Sequence, residues 1–251
     1  MLIPGIVSVT YRPLTPSELL SAARNARLSA IEWGGDIHVP HGDIARAVHV
    51  GGMTRGAGLC PISYGTYYKA GSYGRDYPSV FDKMLRTAEM LGTSNLRLWA
   101  GSANSEDTTE EQRTQLTNEL RHCARMAKGY GKTVSFEYHS GTLTNNAASA
   151  ARLMEDLGAD NASLYWQPNQ FLSHDENCAA LLRLVPYISH VHVFAWESSA
   201  RLPLAAHADR WRAYISILKT VPRDRAMLLE FTPHDDPAEL AAESETLRSL
   251  L

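Results

Sequence analysis

Four residues suited to binding cations or moving protons stand at the ends of four successive short apolar runs. Glu137 closes Val134-Ser135-Phe136, Gln167 closes Leu164-Tyr165-Trp166, and Glu230 closes Met227-Leu228-Leu229. His192 lies within His190-Val191-His192-Val193-Phe194. Runs of this kind read as strands covered on both faces. If the four strands are neighbours, the four side chains converge on one point. Two carboxylates brought together in an apolar setting repel and resist ionising together. A divalent cation resolves that conflict, because it takes oxygen and imidazole ligands and offsets both charges. Taken singly, each residue also reads as an ordinary polar group at a strand end. Their recurrence in four consecutive units favours a shared metal site.

The elements that must position them follow a simple repeat. Apolar runs and amphipathic stretches alternate as residues 3–9 and 16–27, 30–33 and 43–55, 59–64 and 76–91, and 95–99 and 108–130. The pattern continues with 133–138 and 145–157, 163–167 and 174–185, 188–194 and 208–220, and 227–231 and 237–251. Thr15-Pro16 with Glu18, and Asp236-Pro237 with Glu239, carry helix-start chemistry. Gly92, Gly131 and Gly158 stand where helices should stop. Eight strands and eight helices in 251 residues predict an α/β fold, a single (β/α)8 TIM barrel spanning 1–251. An open doubly wound sheet would show a Gly-rich phosphate turn after its first strand. Ser8-Val9-Thr10-Tyr11-Arg12-Pro13 is no such turn.

Composition narrows the function classes. The chain is 44% hydrophobic and 20% charged with a net charge of −3, which argues against a nucleic-acid binder working through a basic face. Cys60, Cys123 and Cys178 are widely spaced and odd in number, and read as reduced thiols of a cytoplasmic protein. The start MLIPGIVSVTYRPLT lacks a secretory pattern, and no segment has the apolar length a membrane helix needs. No Walker loop, nucleophile elbow or zinc-protease helix motif is present.

Phe136-Glu137-Tyr138-His139, His190-Val191-His192-Val193 and Leu228-Leu229-Glu230-Phe231 resemble the strand-end motifs of xylose isomerase-like barrels. That family includes ketose 3-epimerases, hydroxypyruvate isomerase, inosose dehydratase and the endonuclease IV branch. Ala30-Ile31-Glu32-Trp33 resembles its second-strand motif, so the resemblance spans essentially the whole chain. It implies a divalent metal (Mn, Mg, Co or Zn) held by Glu137, Gln167, His192 and Glu230. It also implies Glu137 and Glu230 as the catalytic acid–base pair, and a homodimer. At Gln167 the family carries Asp, and at Gln170 often His. An amide oxygen still ligates a hard cation but brings no charge, so weaker metal binding is expected. His139, on the same face as Glu137 by alternation, is placed to compensate as ligand or proton carrier.

Other residues are candidates for the substrate. Glu32 ends the second strand, and the Gly-containing loop after it carries His38, which can reach hydroxyl groups. Arg97 can hold an anion or, alternatively, pair internally with Glu32 or Glu137. Tyr64, Tyr67, Tyr68, Trp99, Trp166 and Trp196 offer aromatic walls for a sugar or cyclic polyol, with Trp166 alternatively facing the outer helices. The expected chemistry is metal-dependent isomerisation or epimerisation of a carbohydrate-like hydroxy-carbonyl compound, by proton transfer at a carbon next to a carbonyl. Three alternatives stand beside it: a lyase or dehydratase using the same enolate, an endonuclease-IV-like phosphodiesterase, and a degenerate barrel that binds without turnover.

Overall fold

The computed structural model of the chain describes residues 1–197 and 199–251. Its strands and helices alternate as the hydrophobic period dictates. They are β1 (Leu2–Val7), α1 (Pro16–Asn25), β2 (Ala30–Gly34), α2 (Ile44–Gly56), β3 (Cys60–Lys69), α3 (Tyr77–Leu91), β4 (Asn95–Trp99) and α4 (Glu110–Gly129). There follow β5 (Thr133–Glu137), α5 (Ala147–Leu157), β6 (Ala162–Trp166), α6 (His174–Leu184) and β7 (Ile188–Val193). A short antiparallel hairpin, β8 (Ala195–Glu197) and β9 (Ala200–Leu202), precedes α7 (Ala208–Lys219), β10 (Arg225–Leu229) and α8 (Leu240–Leu250). The parallel strands close a barrel in the order β1-β10-β7-β6-β5-β4-β3-β2. This is the (β/α)8 barrel that the alternation predicts.

Helix starts are fixed locally. Thr15 and Glu18 form a reciprocal capping box on α1, and Thr109 with Gln112 and Ser173 with Glu176 do the same for α4 and α6. Gly92 and Gly158 end α3 and α5 in the left-handed conformation. Several boundaries and one element differ from expectation, and β3 runs on to Lys69 instead of ending at Tyr64. The first strand stops at Val7 because Ser8–Tyr11 curls into a 3-10 turn. The last helix begins at Leu240, since Pro237–Glu239 forms a separate 3-10 turn capped by Asp236. The β8–β9 hairpin was not expected, its strands being only three residues each.

Strand alternation divides the residues between two environments. Leu96, Leu98, Val134, Phe136, Leu164, Trp166, Met227 and Leu229 face outward into the main core against the helices. Trp166 packs edge-on against Trp211 and Tyr214 of α7. The inward positions hold a small apolar group, Val7, Ala30, Tyr165, Ala226 and Leu228, together with a polar ladder. In that ladder Asn95 bonds Ser63 (3.0 Å) and Ser135 (2.6 Å), while Ser135 reaches Ser163 (2.8 Å) and Ser189 (2.9 Å). Continuing inward by twos along β4 gives Asn95, Arg97 and Trp99, and along β5 gives Thr133, Ser135 and Glu137. Strand period alone therefore carries the functional side chains to the carboxyl end of the barrel.

Candidate active site

A cavity of about 490 Å³ opens at that end. Its wall includes Arg97, Trp99, Glu137, His139, Gln167, Gln170, Trp196 and Glu230, all expected from the sequence. His192 and Glu32 lie fully buried beneath its floor. His192 Nδ1 is the hub: Gln167 Oε1 lies 3.1 Å from it, Glu230 Oε2 3.3 Å and Glu137 Oε1 3.6 Å. The four strand-end residues thus meet as their spacing implied.

A second network underpins the first. The Arg97 guanidinium donates through Nε to Glu32 Oε1 at 2.8 Å and through Nη1 to Glu137 Oε2. Trp99 Nε1 donates to the same Glu137 oxygen. Glu137 is therefore fixed through Oε2 and presents Oε1 towards His192. Arg97 reaches Glu32 by crossing β3 at Gly65, where a Cβ would lie 2.8 Å from both Arg97 Nη2 and Glu32 Oε1. The internal ion pair that the sequence left as one alternative for Arg97 is formed with both carboxylates.

The electrostatics separate the two cavity carboxylates. Burial pushes Glu137 up, but Arg97 and His192 outweigh it and hold the carboxyl well below the usual range. Burial raises Glu230, and the neighbouring Glu137 charge adds to the rise despite His192, so its carboxyl takes a proton more readily. Burial likewise opposes ionisation of Glu32, yet Arg97 and His192 bring it to about 2. His192 loses solvation on burial, but the three surrounding glutamates raise it to about 10. Unequal environments for two facing carboxyl groups are how one site comes to hold both an acid and a base.

Among the described residues, no group of three or more His, Cys, Asp and Glu side chains stands in metal-holding geometry. The carboxylates lean on Arg97 and His192 instead. The donor chemistry nevertheless fits a divalent ion. With His192 neutral, three buried carboxylates face one guanidinium and leave two uncompensated negative charges, the charge such an ion carries. Three side-chain oxygens already flank one imidazole nitrogen. Glu137, Gln167, His192 and Glu230 are the residues that would hold it.

Glu32, expected as a substrate contact, is instead buried beneath the floor and held by Arg97, and Tyr68 of the expected aromatic wall donates to Glu119 away from the cavity. Two further expected substrate contacts are also placed elsewhere. His38 is buried, bonding Ser8 Oγ at 3.0 Å and the Leu14 carbonyl at 3.2 Å. Tyr64 faces outward from β3, donating to the Val39 carbonyl at 2.6 Å and meeting His41 Nδ1 at 2.8 Å. Both are spent on folding the β2–α2 loop and do not line the cavity. His139 stacks on Trp99 with centroids 5.2 Å apart. Sequence reasoning passed over Arg12, Asn145, Asn169 and Phe171, which also line the cavity. These sit in loops, where no period fixes the direction of a side chain. Tyr67 and Phe231, two further wall residues, have φ of 55° and 53°. Holding a bulky residue in that left-handed region costs on the order of 1–3 kcal/mol and is typical of functional walls.

A closed eight-stranded barrel with strand-end carboxylates over a buried histidine places the protein in a defined class. The sequence signature described as xylose isomerase-like TIM barrel matches residues 43–250, and the chain belongs to that family. No curated protein matches the chain at the level of sequence. Among solved structures it is similar to the probable 3-DHS dehydratase AsbF of Bacillus anthracis, with 17% identity and a TM-score of 0.81 over 99% of both chains. It is also similar to an L-ribulose 3-epimerase, with 18% identity and a TM-score of 0.72 over 100% of this chain and 94% of that one. A xylose isomerase-like barrel from Mycobacterium smegmatis, solved in complex with magnesium, shares 15% identity and a TM-score of 0.73 over 99% and 96% of the two chains. At such identities these likenesses establish the fold. No helix of the described residues is long and apolar enough to cross a membrane.

Proposed function

We propose that this chain is a metal-assisted isomerase or epimerase of a small carbohydrate-like hydroxy-carbonyl compound, working by proton transfer at the carbon next to the carbonyl. The observation that carries the reading is the pair Glu137 and Glu230, which line one cavity and flank His192 Nδ1. Glu137, Gln167, His192 and Glu230 would hold a divalent cation, which when bound would supply Lewis-acid polarisation of a carbonyl and so make the neighbouring C–H bond more acidic. Glu230 is assigned the proton exchange because it lines the cavity and because burial and the Glu137 charge raise its carboxyl, so that it takes a proton more readily. Glu137 stays ionised beside Arg97 and keeps Oε1, turned towards His192, as the negatively charged partner of the pair. Trp99, Trp196, Phe194 and Phe231 supply apolar walls for the C–H faces of the substrate and exclude water from it.

The test is deuterium uptake from D2O by ketoses, inososes and hydroxy-keto acids in the presence of Mn2+. Glu230→Gln should lower exchange on the active compound by about 10²- to 10⁴-fold, the usual worth of a positioned acid–base group. Full turnover by that variant would sink the assignment.

Dehydration is a second reading, favoured by one feature. Epimerisation needs proton exchange on two faces by two like groups, whereas elimination needs one base for the C–H proton and one acid for the departing hydroxyl. With Glu137 Oε2 taken by both Arg97 and Trp99, the two carboxylates are not equivalent. Loss of water from a compound in the same panel, without C–H exchange into recovered starting material, would select this reading.

A further inference from the structure

Beneath the cavity floor three buried polar atoms have no hydrogen-bond partner among the described residues: His192 Nε2, Glu32 Oε2 and Tyr165 Oη. All three residues are completely buried. They are also neighbours. Glu32 Oε1 lies 3.7 Å from His192 Nε2, and the Tyr165 and His192 rings stand 4.6 Å apart between centroids. Leaving a buried polar atom unpaired costs about 1–3 kcal/mol, so three together in a well-packed barrel call for a common purpose.

The two nitrogens of His192 face different surroundings. Nδ1 is turned towards the oxygens of Gln167, Glu230 and Glu137, and Nε2 towards Glu32. A neutral imidazole carries its proton on one nitrogen, and the hydrogen bond made there decides which nitrogen keeps a free lone pair. The Glu32 carboxylate is itself held by Arg97 Nε at 2.8 Å, across a strand position that only Gly65 leaves open.

We propose that Glu32 is a positioning residue for His192. It accepts a hydrogen bond from Nε2–H, directly or through one internal water shared with Tyr165 Oη, and so keeps the Nδ1 lone pair aimed at the cation site. Arg97 is the brace, setting Glu32 on one side and Glu137 on the other. This rests on the metal reading above. It assigns to the second strand a carboxylate that never touches substrate. A carboxylate behind a ligating histidine fixes ring and tautomer, and its loss typically costs 10- to 100-fold in metal affinity.

The experiment combines calorimetric titration of chelator-stripped protein with Mn2+ and nitrogen-15 NMR of the histidine rings with Zn2+ bound. The unaltered protein should show His192 in the Nε2–H form when Zn2+ is bound, with that proton protected from exchange. Glu32→Gln should weaken Mn2+ binding 10- to 100-fold and lose the protection, with near-ultraviolet dichroism unchanged. A merely structural Glu32 would lower the melting temperature and leave the tautomer and its protection alone. If Glu32→Gln does not fold, Gly65→Ala gives the same two readouts, since it displaces Glu32 from Arg97 and keeps every charge. Unchanged Mn2+ affinity in the variant, or a loaded His192 with its proton on Nδ1, overturns the inference. Failure of the unaltered protein to bind either ion overturns it together with the metal reading. Glu32-dependent binding without C–H exchange on any compound sinks the proton-transfer reading alone.

Discussion

Glu137 and Glu230 are chemically alike and physically different. One shares an oxygen between two nitrogen donors, and the other sits where burial and a neighbouring charge favour the acid form. Gln167 stands between them as the neutral member, 3.1 Å from His192 Nδ1. Replacing it with Asp adds a third charge among the residues able to hold an ion. Gln167→Asp should therefore tighten Mn2+ binding by on the order of tenfold or more in calorimetric titration, given the strength of charge pairs near ε of 20. Affinity that stays level or falls would place Gln167 outside the ion's reach. The strand-end residues were legible in sequence because alternation aims every second side chain inward, and a carboxylate ending such a run has one place to go. His38 and Tyr64 were misread for the complementary reason. Tyr64 sits on the outward phase of β3, and His38 lies in a loop whose path no local rule fixes.

Among the elements, β3 contributes mostly by what it lacks. Gly65 leaves room for Arg97 to pass from β4 to Glu32 on β2, strands that are not neighbours in the barrel. Gly65→Ala should cost about 1–3 kcal/mol, as overpacking of a filled core does, read as a lower urea midpoint with unchanged slope. Retention of full stability would mean the Arg97–Glu32 pair yields freely. No signal in the sequence revealed this crossing. The periodicity located eight strands and eight helices because each must present one covered face or stripe. The β8–β9 hairpin escaped because three-residue strands carry too few periods to read. The end of β1 and the start of α8 moved because 3-10 turns resemble their parent elements in composition.

For the whole molecule, the barrel interior is held by a serine and asparagine ladder under a charged layer rather than by branched apolar residues alone. His190 sits in that interior, its Nδ1 accepting from the Ala226 amide at 3.1 Å. Burial brings it down to about 4 from the usual 6.5, so the folded chain keeps it neutral. As pH falls, the unfolded chain protonates first. The stabilisation from neutral His190 is present above pH 6.5 and is lost as pH falls through about 4. The full loss is about 3 kcal/mol at 1.36 kcal/mol per unit. Urea unfolding of metal-free protein at pH 7, 5.5 and 4.5 should show it, and His190→Gln should flatten that part of the profile. An unaltered profile in the variant would assign the acid sensitivity to other groups. His192 acts in the opposite sense. Raised to about 10, it stabilises fully below pH 6.5, and that contribution is lost as pH rises through about 10.

The oxygen of Glu137 that Arg97 and Trp99 share has an optical consequence. Trp33, Trp166 and Trp211 are buried away from the cavity and Trp196 lines its wall, while the Trp99 indole hydrogen-bonds to a carboxylate at its floor. Indole emission responds to the charge beside its ring nitrogen. Any occupant that draws the Glu137 carboxylate towards itself changes the light that Trp99 emits. The protein thus carries its own indicator dye, wired to Glu137 and readable with neither a label nor a coupled assay for any compound that moves that carboxylate.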